Sequence, residues 1–153
     1  SNLEGAELKD ANLEDASLEG ANLKDASLDH ANLKHANLKS TDLKHANLWY
    51  ADLYMAELEG AELGCANLGC ASLWGANLVN ANLEGANLED GKLESVSLQG
   101  ANLKDVFVKG SDWLEQIMKW NVLGAKEISS RYELVPEKSF DANFVLKELS
   151  FDE

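Results

Sequence analysis

Three histidines and two cysteines are the residues whose side chains are best suited to chemistry, namely His30, His35, His45, Cys65 and Cys70. Imidazole and thiolate groups are common ligands of transition metals, and a pair of thiols can also act as a redox couple. All five residues stand at multiples of five in the sequence. What they can do together therefore depends on how a five-residue period folds.

No catalytic motif accompanies these residues. The chain has no glycine-rich phosphate loop, no G-x-S-x-G and no H-E-x-x-H. The acidic pairs Glu14–Asp15 and Glu89–Asp90 suit a solvated surface, whereas catalytic carboxylates need burial or close partners that shift their pKa. We therefore predict that the protein is not an enzyme and carries no cofactor and no metal.

The five-residue period is set by leucine. From Leu3 to Leu103 a leucine occupies every fifth position, 21 times without a gap, and alanine stands two residues earlier in 17 of these cases. An α-helix returns to one face every 3.6 residues and a strand every 2.0, so neither buries such a pattern. A coiled backbone does, if each unit turns its leucine and alanine inward, and the sequence therefore predicts an all-β solenoid.

Runs such as Ala31-Asn-Leu-Lys-His, Ala46-Asn-Leu-Trp-Tyr and Ala86-Asn-Leu-Glu-Asp resemble the pentapeptide-repeat family, whose consensus is A-(D/N)-L-x-x. The resemblance implies a right-handed quadrilateral β-helix with four pentapeptides in each coil. Residues 1–111 would then form one repeat domain of about five and a half coils, roughly 26 Å long at the spacing of stacked strands.

Residues 112–153 depart from the repeat and predict a helical C-terminal cap followed by a tail. A helix over 113–121, started by Ser111 or Asp112 and stopped by Gly124, would lay its apolar side chains on the open end of the solenoid. Further helices are predicted over 125–134 and near 140–149, the second started by Ser139 or Asp141. The apolar residues of the cap are Trp113, Leu114, Ile117, Met118 and Trp120.

Outward positions stack in columns if residues 20 apart share a face. Tyr54 and Trp74 should then stack on each other, and they form an aromatic patch with three further large side chains. An exposed patch of this kind favours a protein interface. Coverage by the C-terminal segment, or stabilisation of neighbouring coils by the rings, are the two alternatives. The aromatic patch consists of Trp49, Tyr50, Tyr54, Met55 and Trp74.

The same columns bring His45 under Cys65, and His30 under Tyr50 and Cys70. Such a column offers two ligands, whereas a metal site needs three or four converging groups, so we predict solvated bend residues. Cys65 and Cys70 lie on successive bends, too far apart for an unstrained disulfide, and we expect free thiols. A redox pair is the alternative.

The net charge of −14 argues against direct binding of nucleic acid. Residues 1–20 contribute six acids and one lysine, a net charge of −5, whereas residues 21–40 sum to +1. Members of the family that protect DNA gyrase from quinolones imply an alternative function, a DNA mimic that binds a topoisomerase. Solubility explains the same charge, and a structural spacer is a third possibility. The acidic band consists of Glu4, Glu7, Asp10, Glu14, Asp15 and Glu19.

No apolar run is long enough to span a membrane, and no signal peptide is visible, so we expect a cytoplasmic protein that does not contact membranes. The leading interpretation is a rigid, non-enzymatic scaffold that binds a protein partner through the aromatic patch. The patch or the C-terminal segment also offers a surface for a homodimer. The sequence does not identify the partner.

Overall fold

A computed structural model describes residues 1–137 and 143–150 of the chain. Parallel β-bridges join each repeat to the fourth repeat after it, from Asn2 with Asn22 up to Asn87 with Phe107. Each coil therefore takes four pentapeptides. The chain forms a β-helix, as the repeat predicts, and we call residues 1–106 the solenoid.

Leucine and alanine fill the interior of the solenoid. Every repeat leucine from Leu23 to Leu103 is at most 2% exposed, while Leu3, Leu8 and Leu13 in the first coil are partly buried. Thr41 stands where alanine is usual, and its Oγ1 donates a hydrogen bond to the Leu18 carbonyl at 2.9 Å. The core is thus a ladder of apolar side chains, and its buried hydroxyl, that of Thr41, has a hydrogen-bond partner.

A tight turn ends each repeat. The amide of the alanine that opens the next repeat donates to the leucine carbonyl three residues earlier, as Ala6 does to Leu3 at 3.0 Å. The fifth residue of the repeat has a left-handed backbone, with φ between 53° and 60° wherever it is not glycine. Glycine, aspartate, asparagine, histidine and serine dominate this position because they tolerate that conformation better than β-branched residues.

The asparagine before the leucine has two hydrogen-bonding roles. The Asn22 Oδ1 atom accepts the Lys24 amide at 3.1 Å, and its Nδ2 atom donates to Asn2 Oδ1 in the preceding coil at 3.2 Å. The side chain therefore shapes its own turn and links two coils. The asparagine is therefore more than a solvent-facing residue of the repeat.

The chain after the solenoid forms two helices and a small sheet, and we call residues 107–150 the closing region. The elements in order are β1 Phe107–Lys109, α1 Trp113–Lys119, α2 Ala125–Arg131, β2 Tyr132–Pro136 and β3 Asn143–Glu148. Strand β3 lies between the other two, antiparallel to both, with Val145 opposite Phe107 and Val135. The closing region shares one continuous core with the solenoid.

The prediction of a helix near 140–149 is wrong where the structure describes this segment, because Asn143–Glu148 is a strand. Val145 and Leu146 are buried in it, and their backbone pairs with strands on both sides. The predicted starts of that helix, Ser139 and Asp141, lie outside the described residues. An apolar pair such as Phe144–Val145 suits a half-buried strand as well as a helix, and the neighbouring strands decided the outcome.

The other helix predictions hold in part. Helix α2 is shorter than predicted, because Tyr132 already begins β2. Asp112 precedes α1, but its side chain makes no capping hydrogen bond. Gly124 does not stop α1; its φ of 92° begins α2, where a Cβ atom would come within 3.0 Å of the Gln99 amide.

Helix α1 lies over the core but does not present all its apolar residues to it. Trp113 and Ile117 are buried, and Leu114 and Trp120 are partly buried against the core. Met118 differs from the prediction, since 47% of it is exposed. One helical face carries the contact, and Met118 lies off that face.

Candidate functional site

The aromatic patch lies on two neighbouring corners of the solenoid. Its five residues, Trp49, Tyr50, Tyr54, Met55 and Trp74, are each between 37% and 50% exposed. They occupy the fourth and fifth positions of their repeats, where the turn directs side chains away from the core. The patch is the main group of large apolar side chains exposed on the solenoid.

On one corner, Tyr54 and Trp74 stack across two coils, as their spacing of 20 predicts. Their ring centroids are 5.0 Å apart and their planes are within 7° of parallel. Beside them, Met55 lies over Gly75, where any side chain would overlap its sulfur atom. The lack of a side chain at Gly75 therefore makes room for Met55.

On the other corner, Trp49 and Tyr50 meet edge to face, with ring centroids 4.3 Å apart. The His30 ring stacks on Tyr50 at 5.4 Å and contacts Trp49 edge-on at 5.3 Å. Trp49 also lies against Gly69, where a Cβ atom would be 3.2 Å from its Cδ1 atom. Contacts from the coils on both sides thus hold these rings in fixed orientations.

Two patch residues have a backbone that their side chains disfavour. Tyr50 and Met55 have φ of 56° and 55°, the left-handed region that large residues rarely adopt. Strained backbone of this kind clusters at functional sites, although the solenoid itself demands it at every fifth position. What distinguishes these two positions is the choice of a large apolar residue where glycine or aspartate is usual.

The face between the two corners is shallow and polar. Tyr50, Cys70 and Asp90 border a cavity of about 410 Å³ that also contacts Asp52, Ser72 and Lys92. The pKa of the Tyr50 hydroxyl is raised, first by its hydrogen bond with the Cys70 thiol and then by the charge of that thiol. Tyr50 thus contacts the cavity as a neutral phenol at physiological pH.

The described part of the closing region packs on the end of the solenoid instead of on the aromatic patch. Strand β3 pairs with β1 and β2, and the described end of the tail leaves the five patch residues exposed. The alternative in which the tail buries the patch therefore has no support in residues 143–150. Stabilisation of neighbouring coils stays open, because the Tyr54–Trp74 stack joins two of them.

All six carboxylates of the acidic band are exposed. Glu4, Glu14 and Glu19 each accept a hydrogen bond from an asparagine of the next coil, at 3.0–3.1 Å. Lys9 is 3.5 Å from Asp29 and forms its ion pair there, outside the band. The charge of the band is therefore available to a partner.

The histidine and cysteine columns lie where the spacing of 20 predicts, as the His30–Tyr50 stack shows. Cys65 and Cys70 are free thiols, the first exposed and the second half-buried. Within residues 1–137 and 143–150, no three histidine, cysteine or acidic side chains converge as metal ligands would. The described helices include none that is long and apolar enough to cross a membrane.

Comparison with known protein families identifies the repeats as pentapeptide repeats. The family model for pentapeptide repeats matches residues 1–39, 26–64 and 66–105, with eight copies in all. Among curated protein sequences, no match is found.

Solved structures of pentapeptide repeat proteins are similar to this chain. One is the pentapeptide repeat protein Rfr23 from the cyanobacterium Cyanothece 51142, 36% identical over 71% of this chain and 63% of its own, with a TM-score of 0.57. Another, from the Arabidopsis thaliana thylakoid lumen, is 27% identical over 67% of this chain and 74% of its own, with a TM-score of 0.59. A third, from Nostoc PCC 7120, is 35% identical over 63% of this chain and 83% of its own, with a TM-score of 0.52.

Proposed function

The chain belongs to the pentapeptide-repeat family of right-handed β-helices, and we propose that it is a non-enzymatic module that binds a protein partner through its aromatic patch. The observation that carries this proposal is the set of five large side chains, each 37–50% exposed, on adjacent corners of a rigid rod. Tryptophan and tyrosine dominate the binding energy of protein interfaces, so their exposure favours a docking surface.

Rigidity supports the proposal. Ring contacts across the coils and the close approach of Trp49 to Gly69 fix the patch before any partner arrives. Binding then requires little ordering of side chains, which lowers the entropic cost of association. We also propose that the solenoid runs for about five and a half coils and that α1 closes its end. Both corners of the patch then lie on coils that have a neighbouring coil on each side.

The patch is tested by replacing its four rings with serine, as Trp49→Ser, Tyr50→Ser, Tyr54→Ser and Trp74→Ser together. The expected result is the loss of partner capture and of any self-association, with the circular dichroism spectrum of the β-helix unchanged. Both are measured by quantitative affinity capture and by analytical ultracentrifugation. A matched control replaces Glu59, Val79 and Gln99, on another corner, with serine.

Equal binding by the serine variant and the wild type would remove the patch as the site. A homodimer, through either the patch or the closing region, is distinguished in the same ultracentrifugation experiment. A dimer that survives the serine substitutions but is lost in Met118→Ser would point to the closing region, where Met118 is exposed.

The acidic band supports a second candidate, a DNA mimic that binds DNA gyrase or another topoisomerase. It is favoured by six exposed carboxylates in one coil, whose single lysine pairs elsewhere. This function predicts inhibition or protection of gyrase supercoiling that weakens steeply as salt is raised, because salt screens exposed charges beyond about 10 Å. Binding that is insensitive to salt, or no effect on supercoiling, would reject it.

A further inference from the structure

The leucine amides of the solenoid reveal one incomplete position near its end. In nearly every repeat, the leucine N–H donates to the carbonyl just before the equivalent leucine of the next coil, as Leu73 does to Lys92 at 2.8 Å. The closing region replaces this acceptor where the coils end: the Leu98 amide donates to the Leu123 carbonyl, and the Leu103 amide to the Tyr132 hydroxyl. Among the described residues, the Leu93 amide alone of this series has no acceptor.

The carbonyl on the other side of the same position is also open. In the coil below, Ala71 accepts the Lys92 amide at 3.0 Å, and Lys92 in turn accepts the Leu73 amide. The corresponding atoms one coil higher are the Gly91 carbonyl, which accepts no backbone amide from the described residues, and the Leu93 N–H. One further amino acid residue could satisfy both groups. Its N–H would donate to the Gly91 carbonyl, and its carbonyl would accept the Leu93 N–H.

Gly91, Lys92 and Glu94, on either side of Leu93, border a cavity. The cavity is about 380 Å³ and open to solvent, and its lining includes Lys92, Glu94, Lys109, Trp113 and Trp120. Its lining residues come from both the last full coil and helix α1. A volume of this size lies within the range of small-molecule sites.

Two acidic and two basic side chains line the cavity, and only one of each forms an ion pair with another described residue. Asp90 and Lys109 pair with each other at 3.1 Å. Neither Lys92 nor Glu94 forms an ion pair with any described residue, and the Glu94 Oε2 atom is buried without a hydrogen-bond partner. A buried carboxylate oxygen without a donor is costly, so an ammonium group at this point would be favourable.

The sequence departs from its own repeat at this position. The unit 91–95 reads Gly-Lys-Leu-Glu-Ser, with Gly91 where alanine is usual and Lys92 where the other repeats up to residue 102 have Asn, Asp, Glu or Ser. Lys92 adds a cation to the rim of the cavity, and Gly91 is also among the residues that line it. Departures from a local rule that coincide with a cavity are expected at functional sites.

From these observations we propose that the cavity between repeat 91–95 and helix α1 binds a small zwitterionic ligand of the α-amino acid class. The ammonium group donates to the Gly91 carbonyl and the Glu94 carboxylate. The carboxylate accepts the Leu93 amide and lies within the field of Lys92. Trp113 and Trp120 form the apolar wall beside the ligand's side chain. This site contains none of the five aromatic-patch residues and does not depend on the role of the patch, although Asp90 and Lys92 also line the cavity beside Tyr50.

The test is a titration of the ¹⁵N-labelled full chain with each of the twenty L-amino acids in the millimolar range, followed by amide and indole NMR shifts. We expect at least one amino acid to shift the Leu93 amide and the Trp113 or Trp120 indole in a saturable way. The N-acetyl derivative and the carboxamide derivative of that amino acid should each bind at least about tenfold more weakly, because each loses a charged hydrogen bond.

Two variants separate the site from general effects. Lys92→Asn restores the usual repeat and should keep the fold while lowering affinity, and Glu94→Gln should do the same. The control Glu84→Gln, at an exposed position two repeats earlier, should leave binding unchanged. If no amino acid moves the Leu93 amide, water alone satisfies the position and the proposal is wrong. A derivative that carries both the N-acetyl and the carboxamide group is the last comparison. If it binds as tightly as the free amino acid, the proposal is also wrong, and an internal peptide segment is the ligand.

Discussion

The solenoid and the closing region satisfy the same hydrogen bonds in different ways. Within the solenoid, a residue's position in the repeat determines its partner, so the Leu23 and Leu63 amides both donate to the equivalent carbonyl of the next coil. In the closing region, no single rule applies. A strand-like segment at Leu123, the hydroxyl of Tyr132 and strand β3 at Leu146 each complete one side of the last coil.

The difference shows what a repeat can specify and what it cannot. A repeat supplies a partner for every internal coil, but it leaves an edge at its end that needs atoms of another kind. The closing region covers three sides of that edge. On the fourth, the Trp120 carbonyl accepts the Ser95 amide at 2.8 Å, but the Gly91 carbonyl and the Leu93 amide are left to the cavity. Four experiments test this contrast, from the largest expected effect to the smallest.

Leu53→Ala should have the largest effect on stability. Leu53 is fully buried in the middle of the ladder, so its truncation should lower the free energy of unfolding by about 2–5 kcal/mol. Leu3→Ala, in the partly buried first coil, should cost clearly less. Chemical denaturation of both variants measures the difference. Equal losses would mean that the first coil is packed as tightly as the middle of the solenoid.

Tyr132→Phe tests whether the closing region substitutes for a coil. The Tyr132 hydroxyl accepts the buried Leu103 amide at 3.1 Å, so its removal should cost about 1–3 kcal/mol of stability. The exposed Tyr54 is the control, and Tyr54→Phe should change stability by less than about 0.5 kcal/mol. Thermal unfolding provides the readout, and a neutral effect at Tyr132 would show that another group takes over the Leu103 amide.

The fifth position is tested by a reciprocal pair of substitutions in one column. Gly60 has φ of 67° and Ser40 below it has φ of 53°. Gly60→Ala should destabilise by about 1 kcal/mol, because the left-handed backbone disfavours a Cβ atom. Ser40→Gly should have the opposite sign and a smaller size. Denaturation midpoints decide the matter, and a stabilising Gly60→Ala would contradict the backbone argument.

The smallest effect concerns Glu89, near the junction of the two regions. Partial burial and the charge of Asp90 raise the pKa of Glu89 above its ordinary value of 4.5, with Glu137 adding to the shift and Lys109 opposing it. A raised pKa in the folded state means that the protonated form is favoured by folding. The stability it contributes is present below the ordinary pKa and is lost as pH rises through the raised one.

Glu89→Gln should therefore raise the melting temperature near pH 7 and have little effect near pH 4. Glu59→Gln, on an exposed corner, measures the effect of removing one negative charge alone. Melting temperatures across this range give the comparison. A difference between wild type and Glu89→Gln that does not grow with pH would rule out Glu89 as its source.

The sequence predicted the solenoid well, because the five-residue repeat determines which residues are buried and which residues lie next to each other in neighbouring coils. The leucine ladder, the spacing of 20 and the Tyr54–Trp74 stack all follow from it. It missed the left-handed fifth position, although the absence of β-branched residues there was a visible signal. It also missed β3 and the role of Tyr132, because both depend on contacts with residues distant in the sequence. The open pair at Gly91 and Leu93 likewise appears only when each hydrogen bond is followed in three dimensions.

The bridging of each repeat to its equivalent in the next coil has a consequence for insertions and deletions. Loss or gain of a single residue would put polar side chains in the core of every coil that follows. One pentapeptide added between Tyr54 and Trp74 would keep the core intact but turn everything beyond it by a quarter of a revolution, so the two rings would no longer stack. Four added pentapeptides would lengthen the rod by about 4.8 Å and leave its columns aligned. Length can therefore change by whole coils before residue 49 or after residue 74 without disturbing the aromatic patch, whereas a coil added between Tyr54 and Trp74 would keep both rings in one column but break their stack.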